Sequence, residues 1–227
     1  MSNNRWNNVI VKKPWGYEYL MYQNNSVGMW CLHIRSGEQT SLHCHPAKKT
    51  GLILLSGEAD VKFFNDSVRL RSIAKLMLRP GLFHSTAAIS SDGIVLLEIE
   101  TPPDKNNLVR LEDVYGREDK PYEGADSLSP LTDKHLRLHE PPKDATNRYQ
   151  LHGCTLIMGK ADDVSHIYSQ PGDIMVVLDG GLSSSNGESI LSAGDVVTEY
   201  TINRLAKSFR SPNGISFLTI RKEGKTE

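Results

Sequence analysis

Cysteine is scarce in this chain. Three residues in 227, Cys31, Cys44 and Cys154, are odd in number and scattered, and no CxxC pair sets two of them at metal-ligand spacing. That argues against a disulfide framework and leaves free thiols in a reducing cytoplasm as the expected state. An excess of charge is also missing. The formal net charge is −1, so no global field attracts nucleic acid or an anionic membrane, and an anionic ligand has to be held by a local cluster of bases. No apolar run approaches membrane-spanning length, and the polar opening MSNNRWNNVIVKKPWGYEYL contains no signal-peptide core. A cytoplasmic protein with neither nucleic-acid nor membrane partners is expected. What remains is ordinary: 38% hydrophobic and 23% charged residues, in a length that buries one large core or two small ones.

Residues 27–100 read as short strands separated by turn residues. GLILLSGEADVKFF runs apolar, turns at Ser-Gly and then alternates through Ala59, Val61 and Phe63. SIAKLMLRPGLFH and SSDGIVLLEIE follow, the second with Asp92-Gly93 as a hairpin-like turn. The spacing, without a convincing amphipathic helix, predicts an antiparallel sandwich or barrel. Residues 101–142 are charged and proline-rich and read as a long, partly helical excursion. Strands return from 149 to 222. The expected organisation is a first barrel over 1–120, a linker over 121–148 and a second barrel over 149–227.

The second half repeats the first. LILLSG (52–57) matches MVVLDG (175–180), SSDGIVLLEIE (90–100) matches SPNGISFLTIR (211–221), and LMLRPG (76–81) resembles SILSAG (189–194). Three matches in one order argue for duplication over chance. Carried upstream without gaps, the first match sets His43 against His166 and His45 against Tyr168. The second copy has therefore lost most of the polar pair, with His166 as its relic and no metal expected there.

The stretch TSLHCHPAKKTG, residues 40–51, places His43 and His45 one residue apart before an apolar run. Side chains alternate faces along a strand, so the two imidazoles point the same way and Cys44 the other, into core. The third candidate is His84, which opens the strand after the Pro80-Gly81 turn of LRPGLFHST. In a small closed barrel, inward residues of neighbouring strands converge. Three imidazoles there bind one divalent transition metal (Zn, Mn, Fe or Ni), with nitrogen ligands at about 2.0–2.2 Å.

GEQTSLHCH followed by RPGLFH resembles the two motifs of the cupin superfamily, small double-stranded β-helix barrels of the jelly-roll type. Gly37, His43, His45 and the closing Gly57 fit the first motif; Pro80, Gly81 and His84 represent the second. The glutamate usual in the first motif is absent, its place taken by Lys49 or Thr50. VKKPWGYEYL (11–20) and NNLVRLEDVYGRE (106–118) further resemble the flanks of the cupin domain in bacterial mannose-6-phosphate isomerase/mannose-1-phosphate guanylyltransferase proteins. No glycine-rich nucleotide-binding signature accompanies them. The fold class implied is all-β, two cupin barrels with the second degenerate. The resemblance also implies a homodimer, paired through an edge strand near Val9–Leu20.

Three residues are candidates for catalysis. Lys49, at the place of the missing glutamate, reads either as a cavity lysine that neutralises substrate or as a solvated one, and Lys48 as a solvated turn lysine. Glu98 and Glu100 share one face of LLEIE. Facing the interior, such a carboxylate is a general base or a fourth ligand; facing out, it is a polar surface, which is expected for at least one of the two. Arg110, Glu112, Asp113, Tyr115 and Arg117 read as a structural lock, and Trp15 and Gly16 as packing and turn residues. The expected function is a metal-dependent enzyme acting on a sugar, sugar phosphate or other anionic sugar derivative, as an aldose–ketose isomerase or epimerase. A non-haem Fe(II) dioxygenase and a non-catalytic sugar-binding bicupin are the alternatives.

Overall fold

A computed structural model describes residues 5–118, 120–143, 145–164, 167 and 169–224. Two compact units divide at 137/138. Among the described residues no helix is long and apolar enough to cross a membrane.

The first unit is built from β1 (Val9–Lys13), β2 (Gly16–Gln23), β3 (Gly28–Ile34), β4 (Leu42–Cys44), β5 (Lys49–Ser56), β6 (Glu58–Lys62), β7 (Ser67–Arg71), β8 (Ala74–Leu78), β9 (Ser85–Ala88), β10 (Ile94–Thr101), β11 (Val109–Glu112) and β12 (Leu128–Pro130). One sheet has seven strands in the order β12-β1-β2-β3-β10-β5-β8. The other runs β7-β6-β9 and continues to β4 and β11 through the bridges Gln39–Ala87 and His43–His84. From β3 to β10 the chain passes back and forth between the sheets, and only the β6–β7 hairpin stays within one. Orders β3-β10-β5-β8 and β4-β9-β6-β7 make this unit a jelly-roll barrel.

Its interior is set by cross-strand partners, which share a face of the sheet. Leu96 lies opposite Leu32 and Leu54, and Glu98 opposite Trp30 and Leu52. Ala59, Val61, Leu70 and Ala88 close the core from the second sheet. Strand β5 is apolar from Gly51 to Leu55 and buried there on both faces, as a central strand requires. The exposed edge β7 carries Arg69 and Arg71, both paired with Glu58, charges that discourage further strand addition. Gly57 turns the corner between β5 and β6 at φ +85°, where a Cβ would lie 2.6 Å from the Gly93 carbonyl oxygen. No other residue fits there.

Two expectations change in this unit. Residues 121–130 are not a linker: Tyr122 is buried in the core, and β12 pairs with β1. The β1–β2 region is consequently interior to its sheet, and β12 forms the edge.

The second unit comprises β13 (Thr146–Leu151), β14 (Cys154–Ala161), β15 (Ile174–Ser183), β16 (Ser189–Ser192), β17 (Val196–Thr198), α1 (Glu199–Leu205) and β18 (Ile215–Lys222). Its strand order β14-β18-β15-β17 repeats the order β3-β10-β5-β8 of the first unit. The matches 52–57 with 175–180 and 90–100 with 211–221 fall on equivalent strands. The third does not. It sets β8 against β16, yet β17 holds the place of β8 beside the first half of β15. That match was only two short apolar runs ending in Gly. Helix α1, capped by the Thr198 hydroxyl, fills the chain between β17 and β18. His166 and Tyr168 lie outside the described residues.

Candidate metal centre

A metal held by three imidazoles needs three unprotonated nitrogens aimed at one point. The backbone meets this requirement before any ion arrives. His43 and His84 face each other across an antiparallel bridge, exchanging N–H···O bonds of 3.0 and 2.8 Å. His45 follows directly on the same short strand, and its carbonyl accepts the Gly81 N–H at 2.9 Å, which stitches the Pro-Gly turn to the His43–His45 pair. The ring centres lie 4.5 Å (His43–His84), 5.0 Å (His43–His45) and 5.8 Å (His45–His84) apart. A nitrogen from each lies within 4.8 Å of the other two.

Every Nδ1 is matched to a backbone carbonyl: Ser41 at 2.8 Å for His43, Asn107 at 2.8 Å for His45 and Leu82 at 3.0 Å for His84. Carbonyls only accept, so each Nδ1 carries the proton and each Nε2 keeps its lone pair. The Nε2 of His45 is buried without a partner, an orphan that an ion would satisfy. Burial, first of all, disfavours the charged ring in all three. It takes His43 well below the ordinary range with help from His84 and His45, lowers His84, and brings His45 to about 3 with help from Lys48. Neutral imidazoles with fixed tautomers are the donor set a divalent metal takes. The site fits a metal.

Glu98 and Glu100 both face the interior, opposite Leu52 and Thr50. The outward face expected for one of them is corrected: the flanking Leu97 and Ile99 are buried on the other side, so neither face of β10 is a polar surface. His45, Glu98 and Glu100 form a second group whose ligating atoms lie within 4.8 Å of one another. Lys49 lies opposite Thr101 and thus on the face away from the barrel interior, half-buried. Its neighbour Lys48, expected in solvent, is fully buried and donates to Glu100 Oε1 at 3.0 Å. The lysine beside the histidines is therefore Lys48, not Lys49.

Lys105 was not singled out from the sequence, because DKNN reads as loop. Its ammonium lies 3.2 Å from Glu100, 3.3 Å from Glu18 and 3.4 Å from Glu98, and 4.1 Å from the centre of the Trp30 ring. Burial alone would lower its pKa; Glu100, Glu18 and Glu98 together outweigh this and raise it. Likewise burial opposes ionisation of Glu98, but Lys105 holds its carboxyl below the ordinary range. Tyr122 donates to Glu18, and Lys13 joins Glu18 to Glu123.

The segment after the barrel acts as a lock. Arg110 donates to the carbonyls of Lys120 and Pro121 and to Glu123, Arg117 to Asp113 and Glu123, and Tyr115 to Glu38. Trp15 is buried in the core, and Gly16 lets the backbone approach the His33 carbonyl, where a Cβ would lie at 1.9 Å. A cavity of about 40 Å³ remains between lock and histidines, lined by His43, His45, Glu98, Lys105 and Arg110 among others.

No family model matches the chain, and no curated protein matches it. Several solved structures similar to part of it are cupin or double-stranded β-helix proteins. KdgF from Halomonas sp. is 15% identical over 40% of this chain and 84% of its own, with a TM-score of 0.38. A conserved protein with a double-stranded β-helix domain from Klebsiella pneumoniae is 17% identical over 42% and 84% of the two chains, with a TM-score of 0.39. A cupin-2 domain containing protein from Shewanella frigidimarina is 14% identical over 37% and 78%, with a TM-score of 0.34. These likenesses are partial. The jelly roll rests on this chain's own strand order.

Proposed function

We propose that the chain is a metal-dependent cupin enzyme acting on a sugar or sugar phosphate, as an aldose–ketose isomerase or an epimerase. The observation that carries the reading is the set of three neutral histidines, each oriented by a backbone carbonyl, of which His43 and His45 share one cavity with the buried carboxylate of Glu98. A metal there supplies Lewis acidity toward carbonyl and hydroxyl oxygens of an open-chain sugar. Glu98, charged and lining the cavity, takes and returns the proton exchanged between adjacent carbons. Lys105 holds Glu98 in place and in its basic form. The cavity of about 40 Å³ has room for a few waters or for the reacting end of a substrate. Lys49 takes no part. The second unit, on this reading, is a degenerate copy of the barrel without a metal, supported by the repeated strand order and by the lack of histidine between β17 and β18.

The test has two steps. Protein purified without added metal is assayed for bound metal, with one ion per chain expected and the ion lost in His45→Ala. The metal-replete protein is then incubated with mannose 6-phosphate and related aldose phosphates in D2O. Deuterium at C2 supports the proton-transfer reading, and Glu98→Gln should abolish it while retaining metal. Oxygen uptake without exchange would favour the dioxygenase. Full metal content in His45→Ala would remove the site.

A further inference from the structure

The charges around the histidines cancel. Among the described residues, five cations (Lys13, Lys48, Lys105, Arg110, Arg117) meet five carboxylates (Glu18, Glu98, Glu100, Asp113, Glu123) in one connected set of ion pairs. Eight of the ten residues are buried outright, and the side chains of Arg117 and Glu123 are only 13% and 8% exposed. The three imidazoles add nothing to the sum. A divalent ion entering this set brings two positive charges that no carboxylate is spare to offset. Uncompensated charge in such surroundings is strongly disfavoured.

A second observation lies at the same place. The buried Nε of Arg110 has no partner among the described residues. Arg110 stands opposite His43 in the β4–β11 ladder, lines the same cavity, and is 93% buried. Its two terminal nitrogens have work elsewhere, one on the Lys120 and Pro121 carbonyls and one on Glu123. Its buried Nε–H is the one group of the guanidinium left without a partner. An N–H beside a site short of negative charge is a donor for an oxyanion.

We propose that the site takes its metal together with a small oxyanion group, a carboxylate or a phosphoryl oxygen, to which the Arg110 Nε–H donates. Metal and anion then raise each other's affinity by one common factor, as linkage requires. The ligand class is an acid or phosphate ester rather than a neutral sugar. This rests on the histidines being a metal site, and the experiment separates the two.

The full-length protein, stripped with chelator, is titrated with Co2+ against a competing indicator in chloride, glycolate or inorganic phosphate at matched ionic strength. The visible absorption of bound Co2+ gives an independent record. Either anion also complexes free metal, which would weaken apparent binding, so tightening can only come from the protein. Tightening by about fivefold or more, with a changed Co2+ spectrum, is expected in glycolate, in phosphate, or in both; which one responds identifies the group. Arg110→Lys keeps the charge and removes the Nε–H, and should lose most of the coupling while still binding Co2+. Should that variant fail to fold, the wild-type titration still decides. Equal affinity in all three media overturns the proposal and leaves the metal site standing. No Co2+ binding at all overturns both.

Discussion

Lys105→Met removes the charge on which three buried carboxylates converge while keeping most of the side-chain volume. In the native protein the ammonium is within 3.2–3.4 Å of Glu100, Glu18 and Glu98. Without it the interior carries one uncancelled negative charge, and Glu98 loses its only ion-pair partner among the described residues. Breaking a buried pair in this way costs about 3–5 kcal/mol. At roughly 2–4 °C per kcal/mol for a chain of this size, the metal-free variant should melt about 6–20 °C below wild type near neutral pH. The deficit should shrink toward pH 5. In the variant the stranded carboxyls titrate above their unfolded value, so the folded state binds the extra proton and gains relative stability as pH falls. Metal affinity should move the other way and rise, because the buried set is now negative before the ion enters. Calorimetry at two pH values, with and without Co2+, reads all three effects. A melting loss under about 2 °C, or one equal at both pH values, would refute the placement of Lys105.

In the metal-free wild type, stability should fall as pH drops below about 6.5. Unfolded histidine takes up a proton there, while folded His45 does not until about 3; each such histidine gives a slope of about 1.4 kcal/mol per pH unit. Asp113 and Glu123, held low by Arg117 and Lys13 against the effect of burial, add to the loss below about 4.5. Urea titrations that give the same stability at pH 7 and pH 5 would contradict this. The native protein should resist a thiol reagent at pH 8 and show three thiols once unfolded, since burial pushes Cys31 up to about 12 and raises Cys44 and Cys154; rapid native labelling would refute it. Lys48→Met should cost about 3–5 kcal/mol, whereas Lys49→Ala should leave metal affinity within about twofold, less than 0.5 kcal/mol; reversed results would restore the lysine order expected from the sequence. We also propose a homodimer, for which a monomer by light scattering at micromolar concentration is the contrary result.

The three histidines were legible because strand alternation fixes which residues share a face, and it carries from His43 on β4 to His45 just past its end. The lysines were misread because Pro46 and Ala47 make a turn just before them, through which alternation cannot be counted. Counting back from the inward Leu54 and Leu52 puts Thr50 inside and Lys49 outside. Alternation paired Glu98 with Glu100 correctly but could not say which face was inner, since Leu97 and Ile99 are as buried as the core. Lys105, Asn107 and Tyr122 were invisible for another reason. They lie in a proline-rich stretch with no periodicity, and only the folded chain shows that it returns to plug the barrel.

That plug constrains how the protein is made. Lys13 and Tyr122 reach carboxylates 110 and 104 residues away along the chain, Glu123 and Glu18. A nascent chain that had emerged only to residue 101 would possess every strand of the central jelly roll. Yet it would close over Glu98 with no cation and over Lys13 and Glu18 with only each other. Each such burial costs several kcal/mol, so the early strands gain little by settling before the ribosome has released residues 105–123. Closure over such separations is slow. The first unit is therefore expected to fold late in its own synthesis and as one piece, with its charged plug arriving last and setting the moment at which the barrel becomes stable.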